Sequence, residues 1–137
     1  MKIVFVDTNV LVDLIADRKP FSKYAIELFS KAESKKVKLY TSSHSFAVTY
    51  YLLKKYIDEK KLREVLFILL DYISLVAVDT EIIKKGLTSK YKDFEGAIQI
   101  IAANSISKLD YIVTRDLKDY KDAGVVVLTS DELVKNI

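Results

Sequence analysis

Ile3-Val4-Phe5-Val6 is a run of four apolar residues that stops at Asp7. A strand with one face in water alternates apolar and polar residues. A strand that is apolar throughout has both faces covered, as in a parallel sheet sandwiched between helices. Val37 to Tyr40, Ser74 to Val78, Tyr111 to Val113 and Val125 to Leu128 are further short β-rich runs. Between them the apolar spacing becomes helical. Val10 to Ala16 reads as one or two helical turns, and Phe21 to Glu33 as a helix with Phe21, Ala25, Leu28, Phe29 and Ala32 on one side. Ser43 to Tyr56 and Glu59 to Tyr72 form two more, broken at Ile57-Asp58. Asp79 caps a short helix ending at Gly86, Asp93 to Lys108 is a clear helix, and Thr129-Ser130-Asp131-Glu132 opens a last one as a capping box. Strands alternating with helices predict an α/β fold: an open parallel sheet of about five strands flanked by helices, as one domain over residues 1–137.

That pattern is shared by phosphatases and receiver domains, so it does not give a function. Composition narrows the choice. The chain has no Cys, which excludes a disulfide framework, a thiolate metal site and a Cys nucleophile, and fits a cytoplasmic protein. His44 is the only His, so neither a Ser-His-Asp triad nor a multi-His metal site can be built. Three Gly and one Pro leave no Gly-rich phosphate loop. The first apolar run is too short for a signal peptide or a membrane span.

The carboxylates carry the remaining information. Asp7 follows the first strand directly, and Asp116 follows Tyr111-Ile112-Val113 after Thr114 and Arg115. In a parallel sheet both acids lie at the carboxyl edge, where open α/β sheets bind ligands. Clustered carboxylates repel, and a cation such as Mg²⁺ relieves the repulsion while keeping waters and room for a substrate phosphate. The structural alternative is plain: Asp7, Asp79, Asp116 and Asp131 all stand between a strand and a helix, where Asp is a favoured N-cap. Asp79 and Asp131 are read as caps.

Val4-Phe5-Val6-Asp7-Thr8-Asn9-Val10-Leu11-Val12-Asp13 resembles the opening of a PIN domain, and Ile112-Val113-Thr114-Arg115-Asp116-Leu117-Lys118-Asp119-Tyr120 resembles its closing motif. Asp93-Phe94-Glu95-Gly96-Ala97-Ile98-Gln99 is similar to the acidic helix start between them. The resemblance implies a sheet of order 3-2-1-4-5 and a metal-dependent ribonuclease, in some members the toxin of a toxin–antitoxin pair. It makes Asp7 and Asp116 ligands of Mg²⁺ or Mn²⁺, with Asp93 the third acid, and a metal-activated water the attacker of an RNA phosphodiester. It gives Asn9 the task of orienting Asp7, places Thr114 and Asp119 near metal or water, and Arg115 near phosphate. The partners it implies are RNA, an antitoxin protein and a second copy in a homodimer.

Two acids that the family usually carries are replaced, one by Val48 in the helix after the second strand and one by Gly96. Asp93 lies three residues before Gly96 and can stand in for it on the same face, and equally can serve as the helix N-cap; Glu95 points about 100° away. These replacements support a second expectation, a catalytically degenerate PIN domain that binds RNA or protein.

Net charge is +3, with lysines paired at Lys35-Lys36, Lys54-Lys55, Lys60-Lys61 and Lys84-Lys85 and clustered at Lys90 and Lys92. Such pairs are ordinarily solvated faces, and secondarily a track for an RNA backbone. Tyr50, Tyr51 and Tyr56 are read mostly as core, with a share in a contact face. Leu66 to Leu70 is read as buried or in subunit contact.

Overall fold

A computed structural model describes residues Met1–Ile137. Five strands form one sheet: β1 (Lys2–Val6), β2 (Val37–Ser42), β3 (Ile73–Val76), β4 (Tyr111–Val113) and β5 (Val126–Leu128). All pairings are parallel and the order is β3-β2-β1-β4-β5, as the resemblance implies. β1 lies at the centre. The chain adds strands to one side of it through β2 and β3, then crosses to the other side for β4 and β5. The switch in direction therefore falls between β1 and β4, whose carboxyl ends carry Asp7 and Thr114.

The continuous apolar run of β1 is explained by two cores. Val4 and Val6 enter one, and Phe5 enters the other. β4 does the same with Val113 and Ile112. The larger core is closed by α1 (Thr8–Ile15), α2 (Ser22–Glu33), α3 (Ser43–Leu53), α4 (Glu59–Leu69) and α7 (Ser130–Val134). The smaller is closed by α5 (Thr80–Leu87) and α6 (Phe94–Asn104), through Ile82, Ile98, Ile100, Ala102 and Ala103.

Several expectations are corrected. The helix expected to run to Lys108 ends at Asn104. The Ser105 hydroxyl bonds the Ala102 carbonyl at 2.6 Å, the Asn104 amide reaches across to the Ala123 carbonyl at 2.8 Å, and Lys108 turns left-handed at φ 61. These local bonds compete with further helix. Asp131 is not the cap of α7. Thr129 is, in a reciprocal capping box with Glu132, and Asp131 sits in the first turn. Tyr51 and Tyr56 are 62% and 82% exposed rather than core. Leu66 to Leu70, expected to be buried or in subunit contact, divides: Leu66 and Leu69 are buried, and Phe67 and Ile68 face outward, where the contact alternative applies to them.

Candidate active site

β1 delivers Asp7 to the sheet edge with a carboxylate that is only 8% exposed. Burial of a charge is costly unless its lone pairs are bonded, and here they are. Oδ1 accepts from the Thr8 backbone N–H at 2.8 Å and from Gln99 Nε2 at 2.9 Å. Oδ2 accepts from the Thr114 hydroxyl at 2.8 Å and, at a longer 3.4 Å, from Asn9 Nδ2. All four donors come from this chain's own backbone and side chains. Asp7 is the N-cap residue of α1, yet its side chain accepts from one backbone N–H of that helix, that of the adjacent Thr8. The cap reading thus accounts for one of its four contacts.

The closing motif is folded around Asn9 and Thr114. The Thr114 hydroxyl accepts from Asn9 Nδ2 at 3.2 Å and from the Asp116 backbone N–H at 3.0 Å. Asn9 Oδ1 accepts from the Arg115 N–H at 3.2 Å. With Asp7 as its acceptor, Thr114 is spent on positioning and has no hydroxyl free for a ligand. Asp116 is exposed, at the start of the short 3-10 turn Leu117–Tyr120, and its side chain makes no cap bond to that turn. Its proton affinity is raised, first by desolvation and then by the negative charges of Asp7, Asp119 and Asp93, with Arg115 opposing. The four acids therefore feel one another across the site.

Asp93 is the N-cap of α6, accepting from the Gly96 N–H at 2.7 Å. A Cβ at Gly96 would stand 3.2 Å from Asp93 Oδ2 and 3.8 Å from the Asp119 carbonyl. The face that the missing acid would occupy is thus the face that Asp93 and Asp119 border. Glu95 points elsewhere, to His44 Nε2 at 3.5 Å. Arg115 is turned away from the acids toward buried Asp13, which it grips with Nε at 2.8 Å and Nη2 at 3.0 Å, its guanidinium 4.2 Å from the Phe21 ring centre. Val48 is half-buried on α3, one turn beyond Ser45.

Two side chains that meet Asp7 do not stand out in the sequence. Gln99, 1% exposed, donates to Asp7 and to Ser45 and accepts from Ser42, while Ser45 also bonds the Thr8 hydroxyl. This chain of polar groups ties α6, β2, α3 and α1 to one carboxylate. A buried-face Gln among Ala97, Ile98 and Ile100 was the available signal. The other is Tyr120, buried, whose phenol is pushed far above its ordinary range by burial and by the facing Asp7 carboxylate.

No three His, Asp or Glu side chains stand close enough to form a metal-holding group by themselves. A cation nevertheless fits the donor chemistry: the Asp7 carboxylate is fixed in direction by four donors at the sheet edge, and Asp116 is repelled by three neighbouring acids, a repulsion that a cation offsets. Two carboxylates completed by waters are enough for Mg²⁺ or Mn²⁺.

The PIN-domain family model matches residues 3–118. The chain is 28% identical over 134 residues to Ribonuclease VapC1 of Aquifex aeolicus (strain VF5), covering 94% of this chain and 91% of that one. Its fold is shared with a chain of a toxin–antitoxin complex from Klebsiella pneumoniae, with a TM-score of 0.66 at 23% identity over 93% of this chain and 97% of that one. It is also shared with Mycobacterium tuberculosis VapC20, described as a sarcin-ricin loop cleaving toxin, with a TM-score of 0.69 at 18% identity over 90% and 96%.

Proposed function

The chain belongs to the PIN-domain family, and on that premise we propose that it is a divalent-metal-dependent endoribonuclease, the toxin of a toxin–antitoxin pair. The observation that carries this reading is the Asp7 carboxylate, fixed at the switch point by donors from α1, α6 and the residue that follows β4, with Asp116 beside it. Similarity to a ribonuclease over almost the whole chain supports it.

Mg²⁺ or Mn²⁺, when bound, supplies Lewis acidity and offsets the charge of the phosphodiester. The rest is done by the chain. Asp7 and Asp116 hold the cation, with Asp93 the third acid at the rim. Thr114, Asn9 and Gln99 fix the direction of the Asp7 oxygens, and Asp119 adds negative charge beside Asp116. Arg115 is engaged with Asp13 and shapes the loop rather than holding phosphate. Glu95, paired with His44, borders the site.

We assign two protein contacts to the outward apolar residues of α3, α4 and the turn between them, Tyr51, Leu52, Tyr56, Phe67 and Ile68, which are exposed: a second copy and an antitoxin. The toxin–antitoxin complex that includes a chain of this fold supports the latter. With RNA as the substrate, the working compartment on this reading is the cytoplasm. No helix is long and apolar enough to cross a membrane.

The test is cleavage of a mixed RNA substrate with Mn²⁺ or Mg²⁺, beside EDTA and Asp7→Asn. Metal-dependent cutting that disappears in a folded Asp7→Asn protein supports the nuclease. A second reading, a PIN fold that binds RNA or protein without cutting, is favoured by the absence of a three-acid group and by Val48 and Gly96. Intact RNA across many substrates and both metals selects it.

A further inference from the structure

Lysines scattered along the sequence meet in one cleft beside the acids. Lys90 and Lys92 come from the loop before α6, and Lys118 and Lys121 from the 3-10 turn and the residue after it. The cleft has a volume of about 290 Å³. Its walls are tied together by the Tyr91 hydroxyl, which donates to the Asp122 carbonyl at 3.1 Å. All four lysines are exposed. Although Asp93, Asp119 and Asp122 also line the cleft, none of the four lysines has a carboxylate within ion-pair distance; the chain's three ion pairs are His44–Glu95, Arg63–Glu59 and Arg115–Asp13.

Asp93 and Asp119 belong both to this cleft and to the set of acids around Asp116. The basic and acidic regions are therefore continuous. An acidic centre repels the polyanion it is to cut, and the overall charge of +3 is too small and too dispersed to offset that repulsion. Four unpaired ammonium groups at its rim act where the repulsion is felt.

We propose that the cleft formed by Lys90, Lys92, Lys118 and Lys121 is a phosphate-binding subsite that holds the RNA backbone next to the bond presented to Asp7 and Asp116. The subsite rests on the nuclease reading of the adjoining acids and adds to it the path of the substrate. The ligand is a run of phosphodiesters rather than a base, because ammonium groups are point charges that neutralise phosphate without reading sequence.

The test is binding of a fluorescein-labelled single-stranded RNA to the full chain in EDTA, followed by anisotropy across a NaCl series. Lys92→Gln/Lys121→Gln is compared with Lys84→Gln/Lys85→Gln, which removes the same charge from α5. The cleft pair should weaken binding about tenfold or more and reduce the slope of log K against log salt by roughly 1.4, at about 0.7 per phosphate of a single strand. The α5 pair should leave both nearly unchanged. Equal losses from both pairs, no loss from the cleft pair, or no RNA binding at all would overturn the subsite. Displacement of the RNA by polyglutamate of matching charge would also overturn it, in favour of an acidic protein ligand. The two readings separate in a cleavage assay with Mn²⁺. A cleft pair that raises KM more than it lowers kcat supports the subsite. An inactive chain that still binds RNA through the cleft pair removes the nuclease and leaves the subsite standing.

Discussion

The Thr114 hydroxyl donates to Asp7 Oδ2 at 2.8 Å across 107 residues of sequence. It joins the two central strands at the point where the order of the sheet reverses. Thr114→Val keeps the shape and removes the donor. It is expected to lower metal-dependent cleavage by about 10–100-fold, the usual cost of losing a partner that orients a ligand. Thr114→Ser should restore most of the loss. Single-turnover cleavage of one RNA by the three proteins decides it; equal rates for Val and Thr would remove Thr114 from the site.

Gln99 makes three side-chain hydrogen bonds within the site. Gln99→Leu leaves Asp7 Oδ1 and the Ser42 and Ser45 hydroxyls short of partners in a buried place. The expected cost is about 1–3 kcal/mol of stability, read by urea unfolding, together with a loss of activity. Gln99→Leu with unchanged stability would mean that these groups find other partners.

The Arg115–Asp13 pair is structural. Asp13 has a side chain only 3% exposed, against 28% for Arg115. Arg115→Ala strands a buried carboxylate, and its cost should fall toward the lower end of the roughly 3–5 kcal/mol typical of broken buried pairs. The double variant Arg115→Ala/Asp13→Asn should recover part of that cost. RNA affinity at matched folded fraction should hold. A large drop in affinity with intact stability would instead return Arg115 to the phosphate.

Asp116 has its proton affinity raised in the folded chain. The native state therefore favours the protonated acid, and the stability contributed by that proton is lost as pH rises through the raised pKa. At neutral pH, without metal, the charge on Asp116 opposes folding. Asp116→Asn is expected to raise the melting temperature at pH 7, with the gap closing as pH falls through the carboxylate range. Added Mn²⁺ should stabilise the unmodified protein and not the variant. Melting curves from pH 3 to 8 would refute this if the variant were less stable at pH 7.

Gly96→Asp places a further acid between Asp93 and Asp119. The 3.2 Å approach to Asp93 Oδ2 requires a small shift of that side chain. Melting temperature without metal should fall, and its rise on adding Mn²⁺ should exceed that of the unmodified protein. An equal response in both would show that position 96 does not face the cation.

Much of this architecture is legible in the sequence, for identifiable reasons. The run Ile3–Val6 has a parallel strand's composition because alternate residues enter different cores. Asp7 and Asp116 stand out because each follows a strand at short range. Asn9 and Thr114 are found through the resemblance, and the structure adds that they bond each other as well as Asp7. Gln99 was hidden because helical periodicity treats a buried-face polar residue as noise; only the fold shows that its face meets Asp7. Tyr51 and Tyr56 fall outside the core and keep the contact-face alternative, because an aromatic residue satisfies the same periodicity whether it faces a core or water. Of the lysine cleft, Lys90 and Lys92 stand out in the sequence but their meeting with Lys118 and Lys121 does not, since the two walls are separated in the chain and come together when α6 packs against the 3-10 turn Leu117–Tyr120.

Asp7 is near the start of the chain, but Gln99 and Thr114, two of its partners, are near the end. A ribosome that has made β1, β2 and β3 has produced a nascent chain whose central strand still lacks one neighbour and whose first acid lacks its grip. Long-range pairing of this kind forms late and slowly. On the reading proposed above, the site around Asp7 would be assembled only after most of the chain had emerged, which would leave an interval for another protein to meet the chain first.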